Sequence, residues 1–282
     1  MTRTVYLNGG YCEVMEARVS IFDRGLLFAD SIYEVVAVLD GMLVDFAGHM
    51  RRLRRSLGEL DIADPLSEEQ ILDIHRELVN RNDIVEGLVY MQVTRGVAER
   101  DFVFPEVSAP TVFMFTQQKA LTGDISQEQF KLKSVEDIRW ARRDIKSTGL
   151  LAQVLARQHA REAGADEALM VKDGFVTEGG ASTAYIVKAG ELITRPLSSD
   201  LLAGVTRASL LTLASARGMR IDQRLCTLEE VYGADEAFIT GASIFVRAVV
   251  AVDGHMIGDG AIGPVVQQLQ QIYLTHARAT AV

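Results

Sequence analysis

Tight-turn dipeptides constrain this chain more than any other feature, because each sets the runs on either side of it to pair with each other. Asn8-Gly9, Asp40-Gly41, Asp173-Gly174 and Ala189-Gly190 are such signals. Residues of this kind accept the positive φ that short hairpin turns require. Around them, residues 4–7, 11–14, 33–39, 42–46 and 168–172 read as strands, as do residues 18–22, 87–94, 111–116, 130–135, 236–240 and 247–252. Helical spacing is confined to a few stretches. Met50, Leu53, Leu57 and Leu60 form one stripe over residues 49–60, and Ser67-Glu68-Glu69-Gln70 opens a second helix with a capping-box pattern. Later helical runs follow Lys146, begin at Thr206 and cover residues 264–277. Many hairpins with few interleaved helices predict an α+β fold, with mostly antiparallel sheet in both halves. The polar stretch 117–127 suits a linker, giving an N-terminal α+β domain over 1–119, a linker over 120–126 and a C-terminal domain over 127–282.

Charge and residue usage exclude several classes of function. A net charge of −9 without a basic tail argues against nucleic acid as a partner. The apolar stretch Phe245 to Val252 is too short to span a bilayer and contains Arg247, so no membrane role is expected. The first residues lack an apolar run of signal-peptide length. Cys12 and Cys226 lie far apart and suit reduced thiols in a cytoplasmic enzyme. The five histidines are scattered without ligand spacing, so no metal is expected.

Chemistry concentrates in three places. Lys146 follows a β-type run and precedes a helical one, with Arg139, Arg142 and Arg143 close by and Ser147 and Thr148 as N-cap candidates. Positive neighbours and a helix N-terminus should lower its pKa toward the range of lysines that attack carbonyl groups. Alone, the same pattern also describes a surface lysine beside a helix start. About thirty residues on, Glu178-Gly179-Gly180-Ala181-Ser182-Thr183 follows the Asp173-Gly174 turn. Two glycines there let backbone approach a ligand while the acid reaches its ring; an ordinary turn acid is the alternative. Third, Gly204-Val205-Thr206-Arg207 opens a helical run whose free N–H groups and Thr206 hydroxyl suit a phosphate. A lysine for an aldehyde, a carboxylate for a pyridinium nitrogen and a helix start for a phosphate together describe pyridoxal 5′-phosphate.

In this order and spacing, Lys146, Glu178 and Gly204-Val205-Thr206-Arg207 resemble the fold-type IV pyridoxal-phosphate enzymes, most closely the D-amino-acid (D-alanine) aminotransferases. Phe28 to Val36, His49-Met50-Arg51-Arg52-Leu53, Val93-Thr94-Arg95-Gly96 and Asp137-Ile138-Arg139-Trp140 carry the same resemblance over nearly the whole chain. The resemblance implies two domains, a smaller N-terminal α/β sandwich and a larger C-terminal pseudo-barrel. It also implies a homodimer whose active site lies between the domains and borrows a loop from a second subunit. By the same resemblance, Lys146 is the catalytic residue and the Schiff-base partner of the cofactor. Arg52, Glu178, Ser182, Leu202, Val205, Thr206 and Ala242 would hold the cofactor, while Tyr33, Arg100 and Phe102 would meet the substrate.

The implied reaction is transamination between a D-amino acid, of the D-alanine or D-glutamate type, and a 2-oxo acid. Activity on (R)-amines is a secondary expectation. The alternatives within the fold are an (R)-selective amine transaminase, aminodeoxychorismate lyase and a branched-chain aminotransferase. The chain departs from the family pattern at Ala29-Asp30-Ser31, where Gly-Asp-Gly is usual, and at Gly241-Ala242, which lacks hydroxyls. Phe102 stands where the D-alanine enzymes carry a histidine that helps hold the substrate carboxylate, making that pocket more apolar.

Overall fold

The computed structural model describes residues 3–123 and 128–282. They form two compact units. The first takes the chain up to Leu121 and adds two later pieces, Ile145–Gly149 and Thr280–Val282; the second holds Thr122–Asp144 and Leu150–Ala279. A split at one linker, 1–119 against 127–282, therefore misses the return of the lysine segment. Residues 124–127 of the expected linker region lie outside the described residues, and residues 117–118 end a strand.

In the first unit, β1 (Thr4–Leu7) and β2 (Gly10–Glu13) are followed by a short helix α1 (Arg24–Phe28), then β3 (Ser31–Leu39) and β4 (Met42–Leu43). Two longer helices, α2 (Phe46–Glu59) and α3 (Glu68–Arg81), precede β5 (Gly87–Thr94) and β6 (Thr111–Gln118). The strands make one antiparallel sheet in the order β2-β1-β6-β5-β3-β4. Alternation along β3 and β5 sends Ile32, Val36, Val38, Val89, Met91 and Val93 to one face, against Met50, Leu53 and Leu57 of α2 and Ile71 and Leu78 of α3. The capping box at Ser67 and Gln70 is formed. Residues 18–22 are not the expected strand. Asp23 behind them caps α1, its Oδ1 accepting the Gly25 N–H at 2.8 Å. Ala29 takes a left-handed φ of 54° at the end of that helix.

The second unit runs β7 (Gln129–Glu136), α4 (Leu151–Glu162), β8 (Glu167–Lys172), β9 (Phe175–Gly179), β10 (Thr183–Lys188) and β11 (Glu191–Thr194). It continues with α5 (Val205–Ala216), β12 (Arg220–Gln223), α6 (Leu228–Tyr232), β13 (Glu236–Gly241), β14 (Phe245–Val252), β15 (His255–Met256) and α7 (Pro264–Thr280). Its nine strands are ordered β12-β11-β10-β13-β14-β7-β8-β9, with β15 on β14, and β9 also packs beside β10 so that the sheet curls back on itself. Most pairs are antiparallel, as expected, but β11/β12, β14/β7 and β7/β8 are parallel. Leu132, Val176, Ile186, Ile239 and Val252 fill its core.

Candidate active site

The first unit organises a lysine. Ile145 is buried in its core, which anchors the segment, and Lys146 then runs alongside the start of β3. The Tyr33 N–H donates to the Lys146 carbonyl at 3.0 Å, Ser147 bridges Ile32, and the Lys146 N–H donates to Ser56 Oγ at 3.4 Å. Lys146 Nζ stands 4.1 Å from the centroid of the Tyr33 ring, a cation–π contact that fixes the amine over one residue of the sheet. The helix expected to start at Ser147 or Thr148 starts at Leu151, with Leu150 as an N-cap that makes no side-chain bond. Thr148 uses its hydroxyl sideways instead, in a short hydrogen bond with Ser31 Oγ. The neighbouring arginines are also committed to acids: Arg139 to Asp137 and Glu178, Arg142 to Asp144, and Arg143 to Asp137 and Asp200.

Next to Tyr33, Glu34 points the other way along β3 and is 1% exposed. It accepts from Arg52 Nε at 2.8 Å, Arg52 Nη2 at 2.7 Å and His49 Nδ1 at 2.7 Å. Although burial opposes the anion, the Arg52 fork and His49 hold the Glu34 carboxyl well below the usual carboxylate range. Of the arginines on α2, Arg52 alone is buried, while Arg51, Arg54 and Arg55 are exposed. Arg52 is buried and bonded to Glu34, which His49 also contacts, and sequence reasoning gave neither Glu34 nor His49 a role. The available signals were the i, i+3 spacing of His49 and Arg52 on one helix and the strand alternation at Glu34.

The second unit organises a carboxylate. Glu178, near the end of β9, is 5% exposed and accepts the Leu202 N–H at 3.2 and 3.3 Å. Arg139 Nη1 donates to it directly, while Arg139 Nε and Nη2 donate to Asp137 at 2.9 and 2.7 Å. Asp137 also accepts from Thr177 Oγ1 at 2.7 Å, and its neighbours bring its pKa down to about 2 despite burial. For Glu178, burial pushes the carboxyl up, and Arg139 and the Leu202 N–H oppose it. The same contacts raise Arg139 above the ordinary arginine range against its own burial. A charged guanidinium in direct contact needs an anion opposite it, so we take the pair as ionised. Arg139 is a further residue that sequence reasoning left without a role; its signal was the Asp137-x-Arg139 spacing.

Around Glu178 the backbone is cramped in a way only small residues allow. A Cβ on Gly179 would strike Ser182 Oγ, and one on Gly180 would meet Glu167 Oε1 at 2.7 Å. Gly204 is hemmed in likewise, 2.9 Å from Thr183 Oγ1, and it caps α5 without a side-chain bond. The first-turn amides of Val205 and Thr206 thus face no capping side chain. A Cβ on Gly241 would lie 3.2 Å from the Ala181 carbonyl, so the turn carrying Ala242 comes close to the loop after Glu178. Ser182 Oγ is buried without a hydrogen-bond partner among the described residues. Within the second unit, buried carboxylate, unsatisfied hydroxyl, uncapped helix start and tight glycines form a donor set that fits a phosphorylated pyridine.

Tyr33 and Lys146 are brought together, but Arg100 and Phe102 stand apart from them. No hydrogen bond, ion pair or ring contact among the described residues joins either to Tyr33 or Lys146. Phe102 is 77% exposed, and the Arg100 guanidinium lies 5.4 and 5.5 Å from the ring centroids of Phe28 and Phe102. Among the described residues no His, Cys, Asp or Glu cluster could hold a metal ion, and no helix is long and apolar enough to cross a membrane.

The model of the amino-transferase class IV family matches residues 31–252. D-alanine aminotransferase of Staphylococcus haemolyticus is 37% identical over 268 residues, 95% of this chain and 95% of its own length. The Bacillus licheniformis D-alanine aminotransferase is 36% identical over 94% of each chain. Among solved structures, the branched-chain amino acid aminotransferase of Escherichia coli shares the fold with a TM-score of 0.91 at 22% identity, over 98% of this chain and 95% of that one. A second branched-chain amino acid aminotransferase, solved with pyridoxamine 5′-phosphate, gives a TM-score of 0.88 at 25% identity, over 99% and 95%.

Proposed function

We propose, for a chain that belongs to the class IV amino-transferase family, that it moves an amino group between a D-amino acid and a 2-oxo acid with pyridoxal 5′-phosphate as carrier. The observation that carries the reaction class is Glu178, a buried carboxylate held by Arg139 and the Leu202 N–H. Support for the D-configuration is the similarity to D-alanine aminotransferases along nearly the whole chain.

When bound, pyridoxal phosphate supplies an aldehyde that takes up the amino group and a ring that spreads the charge of the deprotonated α-carbon. Lys146 Nζ would be the side chain that holds the cofactor at its aldehyde. The same amine would carry the proton away from and back to the substrate α-carbon, as general base and then acid. Glu178 would keep a proton on the ring nitrogen. The amides of Val205, Thr206 and Ala242 and the Thr206 hydroxyl would bind the phosphate, and Arg52 would add charge. Ser182 would offer its hydroxyl to the same group, and Leu202 would pack against the ring.

Tyr33 and Arg100 hold the substrate carboxylate. We assign Arg100 to the site of a second copy in a homodimer, which the exposure of Phe102, Val103, Phe104 and Val107 on its loop supports (77, 72, 52 and 89% exposed). With Phe102 in this loop, carboxylate-free (R)-amines are a secondary donor class. Two free cysteines, Cys12 and Cys226, support a reducing compartment such as the cytoplasm.

A donor screen tests the reading: D-alanine, D-glutamate, L-leucine and (R)-1-phenylethylamine, each with pyruvate and with 2-oxoglutarate. The expected result is turnover of the D-amino acids. Turnover of L-leucine alone would overturn it.

A further inference from the structure

The loop between β11 and α5, residues 195–204, has no regular structure, yet it carries two backbone groups of the candidate site. The Leu202 N–H donates to Glu178, and Gly204 opens α5 without a side-chain cap. A loop places such groups only as well as it is itself held. Leu201 is fully buried, and the residue before it is the centre of a charged cluster.

Asp200 accepts from Arg143 Nη1 at 2.7 Å, Arg195 Nη2 at 2.9 Å and Lys172 Nζ at 3.2 Å. These donors come from three segments of the second unit: the stretch after β7, the residue after β11 and the last residue of β8. Arg143 ties the loop twice, because its backbone N–H also donates to the Ser199 carbonyl at 3.0 Å. Its Nε reaches Asp137 at 3.3 Å, and Asp137 holds Arg139, which donates to Glu178. Glu178 is therefore joined to Asp200 by two routes. One runs through the side chains of Arg139, Asp137 and Arg143, and the other through the backbone from Leu202.

Exposed ion pairs contribute little, and an exposed cluster alone would carry no role. Here the cationic side is buried: the side chains of Arg143 and Arg195 are 3% and 11% exposed, against 27% for Asp200. Among the described residues Asp200 is the one carboxylate paired with Arg195. An amide in its place would leave that guanidinium without an anion and the loop without its anchor.

We propose that Asp200 is a positioning residue of the transamination site, pinning the loop so that the Leu202 N–H stays on Glu178 and the start of α5 stays where the cofactor phosphate would bind. The proposal rests on the transaminase reading and adds a residue to it. Asp200 touches neither cofactor nor substrate; it acts through Leu202 and Gly204.

The experiment compares the wild-type protein with Asp200→Asn and Asp200→Glu, by equilibrium dialysis of pyridoxal phosphate and by the pH profile of kcat/KM of the holoenzymes. Asp200→Asn should raise the Kd for pyridoxal phosphate about tenfold, the size of one lost charge-assisted contact. Its acid limb should move up by about half a pH unit, because a hydrogen bond to the charged form lowers a carboxyl's pKa and the Leu202 N–H would no longer be held on Glu178. Asp200→Glu, which keeps the charge, should recover most of both. An unchanged Kd or an unmoved acid limb in Asp200→Asn overturns the positioning role and leaves the transaminase reading standing. Equal losses in Asp200→Asn and Asp200→Glu overturn it as well, since charge would then not be what holds the loop. Where Asp200→Asn does not fold, Lys172→Met on the exposed side of the cluster decides, with a Kd expected to rise about twofold to threefold; no rise overturns the role. If the wild-type protein binds no pyridoxal phosphate, the transaminase reading fails and the role of Asp200 falls with it.

Discussion

Burial pushes the Glu178 carboxyl up, and Arg139 is the cation that opposes it. Replacing it by methionine leaves the carboxylate buried with only the Leu202 N–H, so its pKa should rise further. An opposite charge in contact typically shifts a carboxyl by about one to three units. The anion is the active form, so the acid limb of the kcat/KM profile should move up by about one pH unit or more in Arg139→Met. An unmoved limb would remove Arg139 from this role, since a merely structural loss would lower activity at every pH. Lys146 and Glu178 stood out as candidates in the sequence because their chemistry is intrinsic to the residue type. Glu34, His49 and Arg139 did not, because what they do lies in whom they touch, across 15, 18 and 39 residues of chain.

At the scale of elements, turn dipeptides and alternation identified nearly every strand, while the start of α4 was misplaced because Thr148, a good cap, spends its hydroxyl on Ser31 instead. The loop after β5 shows how an element without regular structure is held. Arg24 and Arg95, 3% and 5% exposed, share Asp30; Arg24 Nη1 donates to the Asp101 carbonyl at 2.6 Å, and Arg95 lies 3.6 Å from the Phe104 centroid. Asp30→Ala strands two buried guanidinium groups and should cost about 3–5 kcal/mol in urea unfolding. A loss under about 1 kcal/mol would contradict that account.

His75 makes α3 sensitive to acid. Its Nδ1 donates to the Ile71 carbonyl at 2.8 Å, its ring packs edge-on against Phe46, and burial brings its pKa down to about 4. The folded state therefore prefers neutral His75. Its contribution is intact above about pH 6.5 and is lost as pH falls from there toward 4, on the order of 3 kcal/mol in all. His75→Leu should flatten the pH dependence of the unfolding midpoint over that range; an unchanged slope would exclude His75 as its cause.

At the scale of the molecule, the α+β class was legible because hairpin density is a local signal. The return of Ile145–Gly149 to the first unit and the parallel pairs around β7 were not, because both depend on contacts between distant segments. Assembly is the remaining question at this scale, and Arg100 addresses it. If it serves a second copy's substrate carboxylate, Arg100→Ala should raise KM for D-amino acids about tenfold to over a hundredfold, the loss of one charge-assisted contact. (R)-1-phenylethylamine, with no carboxylate, should react as before. A parallel loss for both donors would show that this loop does not read the carboxylate.

Everything in the catalytic account passes through one amine. Borohydride reduction of the purified yellow holoenzyme, followed by peptide mapping, tests it directly. The account predicts a pyridoxyl group fixed on the peptide containing Lys146 and on no other. A label on a different lysine, or an unlabelled Lys146 in protein that had been turning over D-amino acids, would contradict it.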